Sequence, residues 1–414
     1  MARESLTYQC PACGGPLHFD AQTGVPTCDY CDSTFTVEQV EAYYAEKQAK
    51  ADAAAMADAS AKMPSNPAGA HVADAGQQPS SGADGRDRVR QAQHAGAYVQ
   101  TQVIGGDAIA AYLQSKKPLE EGDANAACVV CSSCGAALIV SGSTAVSQCP
   151  YCGNNTVVPG TLGNTLEPDL VIPFETTKEQ AVEALKEHYK GKFLLPKAFK
   201  AENHIEEIQG VYVPFWLFDA KAEGSQTFRC ENHRYWSDSD YDYVETTKYS
   251  CYRRGSTRFA RIPADGSKRM PDDMMDSIEP FDFSKLKPFS MGYLPGFLAE
   301  RYDADVKYCA PRAQLRALNT LGSRLESTVT GYDTVLPDNR VDGDVSYTNV
   351  SYALFPVWML HTKWSGGDYL FAMNGQTGRM VGDLPCDNKK MALTGLLTFL
   401  GTAVLGVLLT FLIV

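Results

Sequence analysis

Eight cysteines carry the clearest chemistry in this chain. Cys10, Cys13, Cys28 and Cys31 follow the spacing C-x2-C-x14-C-x2-C, and Cys131, Cys134, Cys149 and Cys152 repeat it with the same fourteen-residue interval. Each C-x2-C pair sets two sulfurs on one knuckle, and two knuckles joined by a hairpin complete four thiolates, the donor set of a tetrahedral structural zinc site. With all four positions taken by protein, no place is left for water or substrate, so the expected role is structural rather than catalytic. A redox dithiol is the rival, but it belongs to a βαβ context that this sequence does not offer. Cys128 lies three residues before Cys131 and offers a second register. The internal repeat decides against it: Gly14 follows Cys13 as Gly135 follows Cys134, and a glycine there lets the knuckle turn with positive φ. Cys128 is read as a spare thiol.

The elements that must hold these sulfurs define two zinc ribbons, over 8–37 and 127–158. In the first, Leu17–Phe19 and Val25–Thr27 read as short strands around Thr23-Gly24, and Thr36 with Gln39 forms a capping box for a helix over 38–50. Residues 51–125 read as a flexible linker. Their 51–95 part is rich in Ala, Asp, Gly, Ser and Pro, nearly without large apolar side chains, and cannot offset its own ordering entropy. A short helix over Tyr98–Leu113 is weakly signalled.

Residues 165–385 read as an α+β core. Thr176–Lys190 is helical in pattern, with Thr176/Glu179 as a capping box, and Arg312–Leu325 is a second helix with Leu315, Leu318, Leu321 and Leu325 on one side. Two apolar runs, Val211–Phe218 and Tyr352–Leu360, each contain Pro-x-Trp, and helix followed by strand twice over suggests a duplicated core. A proline inside each run points to sheet edges or bulges. Tyr369–Met373, Asn374-Gly375 and Thr377-Gly378 read as a hairpin, and Tyr241–Ile262 as two strands around Arg253-Arg254-Gly255. That second hairpin is lopsided. Residues 231–245 hold five acids and one Arg, whereas 248–269 hold seven Lys/Arg and one acid, Asp265.

The last 24 residues, 391–414, carry no charged side chain, and Lys389 and Lys390 stand before them. This is the pattern of one C-terminal transmembrane helix, a tail anchor long enough for a bilayer core of about 30 Å. By the positive-inside rule it leaves the N-terminal bulk in the cytoplasm, as a single-pass protein of the cell membrane. Thr394, Thr398, Thr402, Gly406 and Thr410 recur every fourth residue, a small-residue ridge that would suit helix-mediated self-association.

Composition narrows the function classes. Over 414 residues the net charge is −12, which repels polyphosphate. The first ribbon contains Asp20, Asp29 and Asp32 and no Lys or Arg; the second has no charged residue. Phosphate contacts draw on such cations, so nucleic-acid binding is disfavoured. No phosphate-binding loop, G-x-S-x-G elbow or H-E-x-x-H is present. His204, His233 and His361 have no cysteine or carboxylate at a suggestive spacing, and no catalytic residue and no enzyme activity are expected.

The stretches CPACGGPLHFD, CPYCG, LVIPF, LLPKAF, GVYVPFWLF, DSIEPFDF…YLPGFLAE and NGQTGRMVGDLP resemble the bacterial TFIIB-type zinc-ribbon-containing membrane proteins. Some members of that family are catalogued as a primosomal replication helicase, a label at odds with the missing nucleotide loop. The resemblance implies a membrane-anchored adaptor or scaffold. Such a protein would present cytosolic docking surfaces and recruit SPFH (band-7) or phage-shock-protein-A-like partners in envelope stress. The alternative is a nucleic-acid-binding zinc-ribbon protein of transcription or replication.

Overall fold

The computed structural model describes residues 10–13, 17–28, 31–46, 106–116, 118–119, 126–141, 148–154, 157–160, 165–202 and 207–413. The chain divides into two compact units, 1–40 with 104–414, and 41–103. Of the second unit only 41–46, the end of a helix, is described, so the linker expected over 51–95 lies outside the described residues.

In chain order the elements are β1 (Leu17–Asp20), β2 (Val25–Cys28), α1 (37–46), α2 (Gly106–Ser115), β3 (Ala126–Cys131), β4 (Ala137–Ser141), β5 (Val157–Gly160), β6 (Leu170–Val171), α3 (Lys178–His188) and α4 (Lys197–Glu202). They continue with β7 (Gln209–Ser237), β8 (Asp242–Asp265), α5 (Asp272–Ile278), β9 (Lys287–Pro288), β10 (Leu298–Glu300), α6 (Val306–Glu326), β11 (Thr334–Pro337), β12 (Asp342–Trp364), β13 (Gly367–Asn374), β14 (Met380–Gly382) and α7 (Asn388–Ile413). The class is mixed α and β, as expected. β1 and β2 form their own hairpin; the other strands join one twelve-stranded sheet.

The centre of that sheet is the antiparallel pair β7–β12, which brings the two Pro-x-Trp runs together, with Trp216 opposite Tyr352 and Trp358 opposite Gly210. The prolines are therefore interior, not at edges. Each is tolerated because its missing donor falls at a gap between neighbouring strands. Beside Pro214 the neighbour changes from the short parallel β10 to the long antiparallel β8, and beside Pro356 it changes from the short parallel β6 to antiparallel β13. In both gaps a glycine amide bonds the proline carbonyl, Gly266 to Pro214 at 2.7 Å and Gly375 to Pro356 at 2.8 Å.

The correspondence runs further. Trp216 Nε1 donates to the carbonyl of Ala304 (2.9 Å), and Trp358 Nε1 donates to Thr176 Oγ1 (3.0 Å). Ala304 and Thr176 each immediately precede a helix N-cap, Asp305 and Thr177. The duplication suggested by the sequence is thus carried by topology: β6–α3–β7–β8 is matched by β10–α6–β12–β13, and each half lends its short strand to the other half's long one.

Several local expectations shift. Thr177 with Gln180, not Thr176 with Glu179, makes the capping box of α3, because Thr176 Oγ1 is engaged by Gly375 O (2.8 Å) and Trp358. Of the leucines expected on one side of α6, Leu321 and Leu325 are buried, together with Ala310, Ala313 and Ala317, while Leu315 is exposed; small side chains let this helix lie close on β7 and β8. No turn occurs at Arg253-Arg254-Gly255. β8 runs through it, and Gly255 sits where an added Cβ would meet Leu325 at 3.1 Å, so close packing, not turning, calls for glycine. The basic run also disperses. Lys248 faces Glu231 across the strands, Arg261 bonds Phe283 O, and Arg269 reaches the second ribbon (below).

Part of the expected 51–125 linker is core. In α2, Ile109 and Tyr112 are buried. Tyr112 Oη donates to Asp169 Oδ2 at 2.7 Å, and Lys116 pairs with the other oxygen.

Among the described residues no helix is long and apolar enough to cross a membrane. The transmembrane helix expected over 391–414 is therefore unsupported there. α7 forms over Asn388–Ile413. The ridge threonines bond their own helix: Thr394 to Lys390 O (2.7 Å), Thr398 to Thr394 O (3.0 Å) and Thr402 to Thr398 O (3.0 Å).

Candidate metal centres

All eight predicted ligands fall into two groups, Cys10/Cys13/Cys28/Cys31 and Cys131/Cys134/Cys149/Cys152, and within each group the sulfurs lie within 4.8 Å of one another. The closest pairs are Cys10–Cys31 (3.6 Å), Cys13–Cys28 (3.5 Å), Cys131–Cys152 (3.6 Å) and Cys134–Cys149 (3.7 Å). A tetrahedral ion with metal–sulfur bonds of about 2.3 Å needs sulfur–sulfur edges of about 3.8 Å, so both sets fit a metal ion such as zinc. Cys128 is buried on β3 and outside either group.

The knuckles share one backbone device. The amide two residues past the middle of each turn bonds the first cysteine's carbonyl: Asp32 to Cys28 (3.0 Å), Gly135 to Cys131 (2.9 Å) and Gly153 to Cys149 (2.9 Å). These three residues have φ of 55°, 71° and 66°, the left-handed turn that favours glycine. Gly14, expected to match Gly135, lies outside the described residues.

The first centre is the more solvent-exposed one, with Cys13 and Cys31 exposed. Ser33, through its hydroxyl and amide, pulls the Cys31 thiol down to about 6. In the second centre Cys131 and Cys149 are buried. Burial pushes the Cys131 thiol up, but the amides of Cys134 and Ser133 outweigh it and leave it at about 7; burial raises the thiols of Cys134 and Cys149. Metal displaces these protons on binding, so acid will favour release.

Neither ribbon is a free module. The first hairpin docks on the body: Phe19 N donates to Pro295 O (3.1 Å), and the Phe19 ring lies 5.4 Å from Tyr293, both buried. Ribbon one thus has a fixed seat on the body and does not hang free beside the linker expected over 51–125. Truncating Phe19 should remove most of this seat, at a cost of about 3–5 kcal/mol for a buried Phe→Ala change. For Phe19→Ala we expect full metal content, an unchanged melting transition of the body and much faster proteolysis near residues 17–35; equal proteolysis rates would refute the docking.

The second ribbon is fused into the sheet. β4 pairs with β10, which pairs with β7, and Cys131, Cys149 and Tyr151 belong to the same apolar cluster as Val211, Phe215 and Phe355. Beneath it lies Glu300, fully buried. Tyr151 Oη donates to its Oε2 (2.6 Å), Ser267 Oγ to its Oε1 (2.8 Å), and Arg269 Nε stands 3.9 Å away. Arg269 also donates to Gly135 O (2.8 Å) and faces Asp303 (3.4 Å), so this cation beside the ribbon is already engaged. Sequence reading missed Glu300, Arg269 and Tyr151 as supports; only the CPYCG motif hinted at the tyrosine.

Burial pushes the Glu300 carboxyl up to about 8, against the pull of its hydrogen bonds. The folded protein then keeps a proton that the unfolded chain loses above about 4.5. This contribution is complete below that pH and is lost as pH rises toward 8, with a slope of about 1.4 kcal/mol per pH unit. Glu300→Gln keeps the hydrogen-bonding shape without the proton. Its urea midpoint should fall less than the parent's between pH 5 and 8; parallel curves would show that Glu300 does not hold a proton.

His361 sits against the same ribbon. Its Nε2 is 3.3 Å from Asp368 Oδ1, and it lines a cleft of about 600 Å³ with Ser133, Tyr151, Asn154 and Lys363. Burial lowers its pKa. His233 bonds Thr246 Oγ1 at 3.1 Å on the β7–β8 hairpin, and His204 lies outside the described residues.

The geometry defines an α+β protein with two four-cysteine groups able to hold metal ions. The chain is similar to YdjG of Bacillus subtilis (strain 168), itself an uncharacterized protein: 35% of positions are identical over 233 residues, covering 56% of this chain and 67% of the relative. The chain belongs to the family of that protein. No protein-family model matches it, and no solved structure does.

Proposed function

We propose that this protein is a membrane-bound adaptor whose two centres hold zinc as structural pins. The observation that carries the reading is that both sulfur sets are closed, four-thiolate and seated on one α+β body, which suits shaping a docking surface rather than activating a substrate. No reaction is assigned to it. Membrane attachment is supported by α7, where Leu393, Leu396, Leu397, Phe399, Leu400 and Val404 are all exposed and where the sequence remains uncharged to Val414. An apolar surface on every side of a helix calls for lipid or a partner helix. The bulk of the chain then faces the cytoplasm, and SPFH or phage-shock-protein-A-like scaffolds are the proposed partners.

Crosslinking of the full chain in native membranes, followed by mass spectrometry, tests this reading. Recovery in the membrane fraction with crosslinks to such scaffolds is the expected result. A freely soluble protein, or crosslinks only to nucleic-acid-bound complexes together with a gel shift at moderate salt, would overturn it.

A further inference from the structure

The β7–β8 hairpin outruns the rest of the sheet. β11 accompanies β7 only as far as Glu231, and from Asn232 to Thr247 the two strands pair with each other alone. This arm is aromatic where a solvated hairpin would be polar. Tyr235 and Tyr241 are 71% and 69% exposed, and Trp236, Tyr243 and Val244 are also open. Trp236 and Tyr243, directly opposite in register, stack with centroids 5.5 Å apart and planes at 10°.

The arm is also built rigidly. Asp238 accepts the amides of Asp240 (2.9 Å) and Tyr241 (2.8 Å) and the hydroxyl of Tyr243 (2.8 Å), which fixes the turn and one stacked ring. Asp240, Asp242 and Glu245 are exposed and make no ion pair among the described residues. Arg234 lies over Trp236, 5.6 Å from the ring, on the face that carries Tyr243 and Glu245, while Tyr235, Val244 and Asp242 stand on the other face of the arm.

Rigid exposed aromatics next to unpaired carboxylates are the chemistry of a site for cationic side chains: rings take the guanidinium or ammonium faces and the aliphatic stems, and carboxylates take the charge. We propose that this arm docks a lysine- and arginine-rich segment of a partner protein. The carboxylates set it against anionic lipid headgroups and against nucleic acid. They also set it against a second copy of this chain: the exposed face of β8 offers Arg254 and Arg258 and β7 adds Lys221, but Glu223, which pairs with Lys221, and Asp342 and Asp344 share that face and leave it without a net positive charge. The inference deepens the adaptor reading and takes its biological setting from it, but the binding chemistry is tested separately.

The test uses the full-length protein in detergent and a fluorescein-labelled nine-residue peptide of alternating Lys and Arg, followed by anisotropy at about 0.15 M salt, where long-range attraction is screened beyond about 8 Å. The variants are Tyr235→Ser/Trp236→Ser, which leaves net charge unchanged, and Asp242→Asn/Glu245→Gln. We expect about tenfold weaker binding for each, of the size typical for loss of an aromatic anchor, with metal content and circular dichroism unchanged. Equal binding by the aromatic variant would mean that the overall negative charge alone attracts the peptide and would overturn the proposal. So would no binding by the parent, an arm-dependent dimer in sedimentation, or arm-dependent binding to anionic vesicles. The same variants in the native-membrane crosslinking separate the two readings. A parent without protein partners would defeat the adaptor, while the anisotropy result would still decide the arm.

Discussion

Cys149→Ser should lose one metal equivalent and unfold the body, whereas Cys13→Ser should lose one equivalent and leave the body folded. The asymmetry follows from where the two centres sit. β3, β4 and β5 of the second ribbon are strands of the main sheet, Cys131 and Cys149 lie in its apolar cluster, and Tyr151 and Gly135 bind Glu300 and Arg269 of the body. A structural four-thiolate zinc contributes about 10–16 kcal/mol in small domains, comparable to the whole stability of a typical protein, about 5–15 kcal/mol. Loss of the metal here would leave three thiols without an ion, Cys131 buried and Cys134 and Cys152 half-buried, at a loosened sheet edge. The first ribbon's two-stranded hairpin stands outside the main sheet and meets the body through Phe19 against Pro295 and Tyr293 and through Val37 against Gly292, so its loss exposes that seat and breaks no ladder of the main sheet. Metal content by mass spectrometry, with unfolding followed by circular dichroism, checks both variants. Equal melting of the two would contradict the fused architecture of ribbon two.

Arg312→Ala should destabilise the body by about 3–5 kcal/mol, the cost of stripping the partner from a buried charge. Arg312, on α6, pairs with Asp265 and Asp276 and bonds Asp272 at 2.7 Å. Asp265 is only 4% exposed, and burial pushes it up to about 6 even with Arg312 attached. Raised from 3.8, it stabilises most when protonated, and that stability fades as pH climbs toward 6. Without Arg312 the carboxylate would be uncompensated at neutral pH. The duplicated half supplies the control: at the matching position Asn374 turns the chain without a charge, accepting the amides of Gln376 (2.9 Å) and Thr377 (3.0 Å). Adding Asp265→Asn to Arg312→Ala should therefore restore most of the loss at pH 7, and the single variant should regain stability toward pH 5. A double variant no more stable than the single one, measured by denaturant midpoints, would place the loss in helix packing and not in the charge.

Local chemistry was readable from the sequence, and long-range pairing was not. The eight ligands, the first ribbon's strands, the Thr36/Gln39 box and the Asn374-Gly375 turn depend on residues within a few positions, and all stand where expected. The helix of 312–325 was found but begins at Val306, because Pro311 within it disguised the first turns. Gly255 was misread because a glycine called for by the approach of Leu325, seventy residues on, looks like a turn glycine in the sequence. The fusion of ribbon two to the core rests on Leu138 facing Glu300 and Val140 facing Leu298, pairings that leave no periodic trace. Glu300 and Asp265 were likewise invisible as buried charges, since burial is set by strands distant in sequence.

Zinc K-edge absorption on the purified full-length protein, combined with metal counting, tests the central claim most directly. We expect two zinc ions per chain, each in a pure four-sulfur shell at about 2.3 Å. Fewer than two ions, or a shell containing nitrogen or oxygen from a group such as His361, would contradict two closed thiolate centres.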